Sequence, residues 1–133
     1  PPVHAVEEAP LAGPFEHVLT GLKVLDFTRA LAGPTVTRMF AEMGADVIKV
    51  ESAPNGDLTR RMSKLRGERS LYYVQQNLGK KSLCVDLRDP RGMALIAALV
   101  PKVDVVVENF KPGTFAAMGL GYDRLKLLRE DII

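Results

Sequence analysis

Residues 22–51, LKVLDFTRALAGPTVTRMFAEMGADVIKVE, read as a strand, a helix and a second strand. Leu22, Val24, Leu25 and Phe27 make a short apolar run with little alternation, the pattern of a strand covered on both faces. Ala32-Gly33-Pro34 interrupts it. Proline suits the first helical position, because its missing N–H would have no intrahelical partner there. Val36, Met39, Phe40 and Met43 then recur at helical spacing, and Gly44 can supply a left-handed stop. Asp46 to Glu51 returns as a β-rich run, Val47-Ile48-Lys49-Val50. A strand, helix and strand in about 30 residues is a parallel crossover unit, right-handed in nearly all proteins. Ligands of open parallel sheets bind where strand carboxyl ends meet helix N-termini, which in this unit is Thr28 to Thr35.

Outside this unit the chain continues in the same style. Leu71 to Asn77 predicts a short helix stopped by Gly79, with Tyr72 and Tyr73 in core or interface. Leu83 to Leu87 predicts a third strand, placing Asp86 mid-strand and Cys84 as a buried, inert thiol. Asp89 and Pro90 predict an N-cap and first position of a helix whose apolar stripe is Met93, Ile96, Ala97 and Val100. Val103 to Val107 predicts a fourth strand, Lys111-Pro112-Gly113 opens another helix, and Tyr122 to Glu130 a last one with Leu125 and Leu128 inward. The binding loops are then Thr28–Pro34, Leu87–Pro90 and Glu108–Gly113.

Residues 1 to 20, with Pro1, Pro2, Pro10 and Pro14, lack periodicity and read as a flexible tail or linker. His4 and His17, in or beside it, are read as solvated rather than as ligands. Between Ser52 and Ser70 lies a polar stretch carrying Arg60, Arg61, Lys64, Arg66 and Arg69 against Asp57 and Glu68. Such a run is ordinarily a solvated loop, and the alternative is a cationic loop near phosphates.

Bulk properties narrow the classes. The 133 residues are one domain's worth, 47% hydrophobic and 26% charged, as in ordinary globular proteins. A net charge of +2 is compatible with an anionic small molecule and too weak to argue for nucleic acid. No stretch reads as a membrane span, and one cysteine excludes an internal disulfide framework, as expected of a cytoplasmic protein. Two histidines leave no metal-ligand cluster to propose. No G-x-G-x-x-G follows the first strand, and no Walker A motif, G-x-S-x-G elbow or H-E-x-x-H is present. From residues alone, the reading stops at a sheet that binds something anionic.

The motifs carry further. Val24-Leu25-Asp26-Phe27-Thr28-Arg29-Ala30-Leu31-Ala32-Gly33-Pro34, followed by the Gly44–Glu51 strand, resembles the opening of the class III coenzyme A transferases, the formyl-CoA and carnitine-CoA transferase group. Gly56-Asp57-Leu58-Thr59-Arg60, Asn77 to Ser82, Val85-Asp86-Leu87, Asp89 to Gly92, Val107 to Gly113 and Met118 to Tyr122 match in order. The resemblance implies the N-terminal part of a Rossmann-like α/β fold, an open parallel sheet with helices on both faces. Residues 21–133 would be the N-terminal segment of a larger domain, incomplete at its C-terminus.

The resemblance also implies a chemistry. In this family an aspartate attacks the acyl-CoA thioester, and the thiolate returns to form an aspartyl-CoA thioester that an acceptor carboxylate discharges. That aspartate would lie beyond Ile133, so the chain supplies no catalytic residue and the segment alone is expected to be inactive. The implied substrates are coenzyme A as acyl-CoA and a small carboxylic acid, with no metal, nucleic acid or membrane, in an intertwined homodimer. Positions matching coenzyme contacts are Arg29, Ala30 and Leu31 after the first strand, Val85 and Arg88 at the third, Asn109 and Phe110 at the fourth, and Met118 beyond. Arg29 and Arg88 can pair with phosphates, and Asn109 can serve an adenine edge or pantetheine amide.

Three departures stand out. Leu31 replaces the glutamine of the formyl-CoA enzymes, which argues against an oxalate or formyl substrate. Ser52 and Ala117 stand where those enzymes have arginines, which makes the Arg60–Arg69 loop a candidate for phosphate contacts. Two other functions remain: an α-methylacyl-CoA racemase on the same scaffold, or a non-catalytic coenzyme A-binding module. A racemase would need an acid/base pair including a histidine that this segment does not supply.

Overall fold

The computed structural model describes residues 17–62, 65–66 (backbone only) and 69–133. Four parallel strands form its centre: β1 (Lys23–Asp26), β2 (Asp46–Ser52), β5 (Lys81–Val85) and β6 (Val105–Val107). Their spatial order is β5-β2-β1-β6. Two-residue strands β3 (Leu65–Arg66) and β4 (Arg69–Ser70) pair antiparallel as a separate ribbon. The helices are α1 (Ala32–Glu42), α2 (Leu71–Gln76), α3 (Pro90–Leu99), α4 (Thr114–Ala117) and α5 (Tyr122–Leu128). Val24 lies opposite Val47 on one side and Val105 on the other, which sets the register of the three inner strands.

Because successive strand residues face opposite sides, β1 feeds two cores. Leu25 and Phe27 join Val50, Val85, Ile96, Val100 and Phe115 beneath α3, α4 and α5. Val24 joins Val47 and Ala45, with Phe40 and Ala41 of α1 packed against them. The expected α/β architecture, a parallel sheet with helices on both faces, is present.

Chain order runs outward from β1 to β2 to β5, then returns across β1 to β6. That reversal opens a crevice between the carboxyl ends of β1 and β6, the usual ligand position in such sheets. Ile133 lies beside β6 as a parallel neighbour would, its N–H donating to the Asp104 carbonyl (3.1 Å) and its carbonyl accepting from Val106 N–H (2.8 Å).

Several local expectations need correction. Helix α1 begins at Ala32, so Pro34 is its third residue rather than its first. Any first-turn position tolerates proline, since those N–H groups have no intrahelical acceptor. Gly44 does take the left-handed conformation expected of it, at φ +98°. Of the residues at helical spacing, Phe40 packs against the core while Val36, Met39 and Met43 are exposed, and the helix fully buries Gly33, Pro34 and Thr37. The reason is close approach at its N-terminus. A Cβ on Gly33 would lie 2.4 Å from the Thr28 Cβ and 3.1 Å from Asn109 Cγ, so only glycine lets the helix seat there.

Cys84 is exposed rather than buried, because β5 is the outer strand of the sheet. Asp86 lies just past the end of β5, not within it. The fourth strand starts at Val105 rather than Val103, and α5 ends at Leu128. Asp89 and Pro90 cap and open α3 as expected, the Asp89 carboxylate accepting Arg91 N–H at 2.8 Å. The tail expected over residues 1–20 falls outside the described residues up to residue 16. The remainder, with His17 exposed, forms a turn whose Leu19 N–H donates to the Met43 carbonyl at 2.9 Å.

Candidate functional site at the strand carboxyl ends

Three loops converge above the sheet, following β1, β2 and β5, with Met118 at the end of α4 reaching the same place. They enclose a cleft of about 420 Å³ lined by Arg29, Ser52 to Asn55, Asp86 to Arg88 and Met118. A second arm of about 220 Å³ shares Arg29, Ser52 and Asn55 and continues to Gly56, Leu58 and Arg61. Two faces of one entrance are thus marked by Arg29.

Arg29 is positioned from both ends. Its N–H donates to Asn109 Oδ1 and its carbonyl accepts from Asn109 Nδ2, each at 2.9 Å, so a side chain at the end of β6 closes the crevice beside β1. Its guanidinium donates to Ser52 Oγ (3.0 Å) and lies over the Phe110 ring, 4.7 Å from the centroid. Phe110 in turn stacks on Phe115, centroids 5.8 Å apart. Ala30 adopts φ +66°, a left-handed conformation unusual for a residue with a Cβ, which turns the chain into α1.

Of the eight sequence-derived positions, the cleft gathers Arg29, Arg88 and Met118. Phe110 acts on it through Arg29, and Asn109 uses one donor and one acceptor on the Arg29 backbone. Leu31 is exposed as the residue before α1, Ala30 is exposed beside it, and Val85 is buried in the core beneath. Arg88 is exposed and held by Asp86, its Nε 3.0 Å from Oδ1, and this guanidinium keeps the Asp86 carboxyl below the usual carboxylate range.

Beneath the loops lies a set of charges that sequence reasoning passed over. Lys49, in the middle of β2 and almost wholly buried, donates to the Thr28 carbonyl (2.8 Å) and pairs with buried Asp57 at 3.0 Å. Asp57 caps the single helical turn Leu58–Arg61 by accepting Thr59 N–H at 2.9 Å. Burial raises the Asp57 carboxyl, but the Thr59 N–H and Lys49 outweigh it and leave it below its ordinary range. Asp26 ends β1 and accepts from Thr28, Thr37 and Lys80, the last a buried ion pair at 3.0 Å. Burial pushes the Lys80 ammonium down, opposed by Asp26.

Arg60 is committed to buried Glu51 through two bonds of 2.7 Å, so its charge is largely neutralised within the fold. Tyr73 donates to the same carboxylate at 2.7 Å, which with burial raises the phenol. For Glu51 burial acts upward, and Arg60, Ser82, the Asp57 N–H and Tyr73 together bring it down to about 2. The basic-loop residues Lys64 and Glu68 lie outside the described residues, as does the side chain of Arg66.

Among the described residues no cluster of three or more His, Cys, Asp or Glu could hold a metal ion, and no helix is long and apolar enough to cross a membrane.

Comparison with known proteins agrees with this arrangement. The family model described as CoA-transferase family III matches residues 19–133. The chain is 45% identical over 116 residues to succinyl-CoA:glutarate CoA-transferase from Homo sapiens, covering 86% of this chain and 26% of the relative. It is 39% identical over 116 residues to formyl-CoA:oxalate CoA-transferase from Afipia carboxidovorans, with 86% of this chain and 27% of the relative covered. Among solved structures, a CAIB/BAIF family protein from Brucella suis superposes with TM-score 0.78 at 44% identity, covering 86% of this chain and 31% of that one. Rv3272 from Mycobacterium tuberculosis gives TM-score 0.81 at 38% identity, covering 88% and 32%. The chain therefore spans about a quarter of the length of these curated relatives. With the family model matched across nearly all of its described residues, the chain belongs to CoA-transferase family III.

Proposed function

We propose that the protein carrying this chain transfers coenzyme A between carboxylic acids, and that residues 21–133 form the part that receives the coenzyme. The observation that carries the reading is the cleft in which Arg29, Ser52, Arg88 and Met118 meet at the strand ends. Its lining sets two guanidiniums against the single Asp86 carboxylate, with Pro54, Leu87 and Met118 as apolar walls on three loops of a parallel sheet, which suits a long anionic ligand with an apolar arm. The relatives are named for coenzyme A transfer to glutarate or oxalate, which favours a transferase over the racemase. An acyl-CoA donor and a small carboxylate acceptor are the substrates, and the chain offers orientation rather than a nucleophile.

The same reading includes the whole protein as a cytoplasmic intertwined homodimer. Its support is an uncovered apolar surface. Val36 and Met39 of α1, Met43 just after it, and Leu71, Val74 and Leu78 in and after α2 are exposed. The two helices adjoin through Arg38, which donates to the Gln75 carbonyl at 3.2 Å.

The test is a transfer assay on the full-length protein with succinyl-CoA and glutarate, then with formyl-CoA and oxalate, product acyl-CoA being followed by mass spectrometry. Leu31 in place of glutamine predicts more turnover with the first pair than with the second. Hydrolysis without transfer, or exchange of an α-proton without transfer, would refute the reading.

A further inference from the structure

Arg60 and Arg61 are neighbours on one turn and face opposite ways. Arg60 points inward to Glu51, whereas Arg61 lines the second arm of the cleft together with Arg29, Ser52, Asn55 and Gly56. Among the described residues that line this arm there is no carboxylate. Among the described residues Arg29 meets only a hydroxyl and an aromatic face, and Arg61 meets the Asn55 side-chain carbonyl, so neither guanidinium is neutralised. Arginine's planar fork is suited to bidentate contact with phosphate oxygens.

The arm is also firmly built. The Lys49 ammonium, 3.0 Å from Asp57 and 2.8 Å from the Thr28 carbonyl, fixes both the turn carrying Arg61 and the loop carrying Arg29. Two cations held by one buried cross-link line the same small arm.

We propose that Arg61, with Arg29, binds a phosphate of the coenzyme's nucleotide portion, and so supplies the cation missing at Ser52. The proposal rests on coenzyme A being the ligand of the cleft and adds a residue and a role to it. The pantetheine portion then runs into the larger arm toward Met118.

Affinities of full-length wild type, Arg61→Gln and Arg124→Gln are measured by calorimetry for coenzyme A, dephospho-coenzyme A and pantetheine. Arg124 is an exposed cation on α5 outside the cleft and controls for net charge. Arg61→Gln is expected to weaken coenzyme A about tenfold, as for loss of a charged hydrogen bond, and to leave pantetheine unchanged. Arg61→Lys recovers part of the loss. An equal loss for dephospho-coenzyme A assigns Arg61 to the pyrophosphate; an unaltered dephospho-coenzyme A affinity assigns it to the 3′-phosphate. Wild-type affinity in Arg61→Gln, or a loss no greater than in Arg124→Gln, overturns the proposal and leaves the proposed function standing. Failure of wild type to bind coenzyme A overturns both.

Discussion

Asn109 makes two bonds across the crevice, both to the backbone of Arg29. Truncation to alanine removes them together and frees the loop that carries the guanidinium. Asn109→Ala is expected to cost about 1–3 kcal/mol in chemical denaturation, since each such bond contributes roughly 0.5–1.5 kcal/mol net. It should weaken coenzyme A binding as well, through Arg29 rather than by loss of a ligand contact. At this scale the sequence was partly legible. Resemblance to a family singles out Asn109 as a candidate, but the partner of its amide depends on a residue 80 positions away. The partner of Arg60 was hidden for the same reason. Its charge suggested phosphate, and only the folded chain shows Glu51 beside it.

Elements were easier to read than their faces. The apolar runs of β1 and β2, interrupted by Gly33-Pro34 and Gly44, predict the parallel unit from local pattern alone. Burial is a property of position in the sheet, so Cys84 on the outer strand was misread. Buried charge in the middle of a strand is also silent in a sequence, because a lone lysine in an apolar run resembles an exposed position. Lys49 is the clearest case. Lys49→Met strands Asp57 in the interior, and a buried charge without its partner costs about 3–5 kcal/mol. Lys49→Met with Asp57→Asn is expected to regain much of that stability, since the amide oxygen still accepts Thr59 N–H. Urea midpoints of the two variants check the difference, and equal midpoints would refute the pairing.

For the whole molecule, acid is the sharpest probe of the buried carboxylates. Glu51 is held at about 2 against an ordinary 4.5. A folded pKa below the unfolded one gives stability that is fully present above about 4.5 and is lost as pH falls toward 2. The contribution is at most about 3 kcal/mol, from 1.36 kcal/mol per pKa unit. Glu51→Gln should be less stable than wild type at neutral pH and show a shallower acid transition. Equal slopes below pH 4.5 in the two proteins would show that Glu51 is not the group responsible.

Coenzyme A is proposed to lie across the carboxyl ends of β1, β2 and β5. Hydrogen–deuterium exchange of the full-length protein with and without coenzyme A tests it most directly. Slowed exchange is expected in Thr28–Ala32, Ser52–Leu58 and Asp86–Arg88, with α5 unchanged. Protection confined to α5, or to the exposed apolar side of α1 and α2, would contradict it.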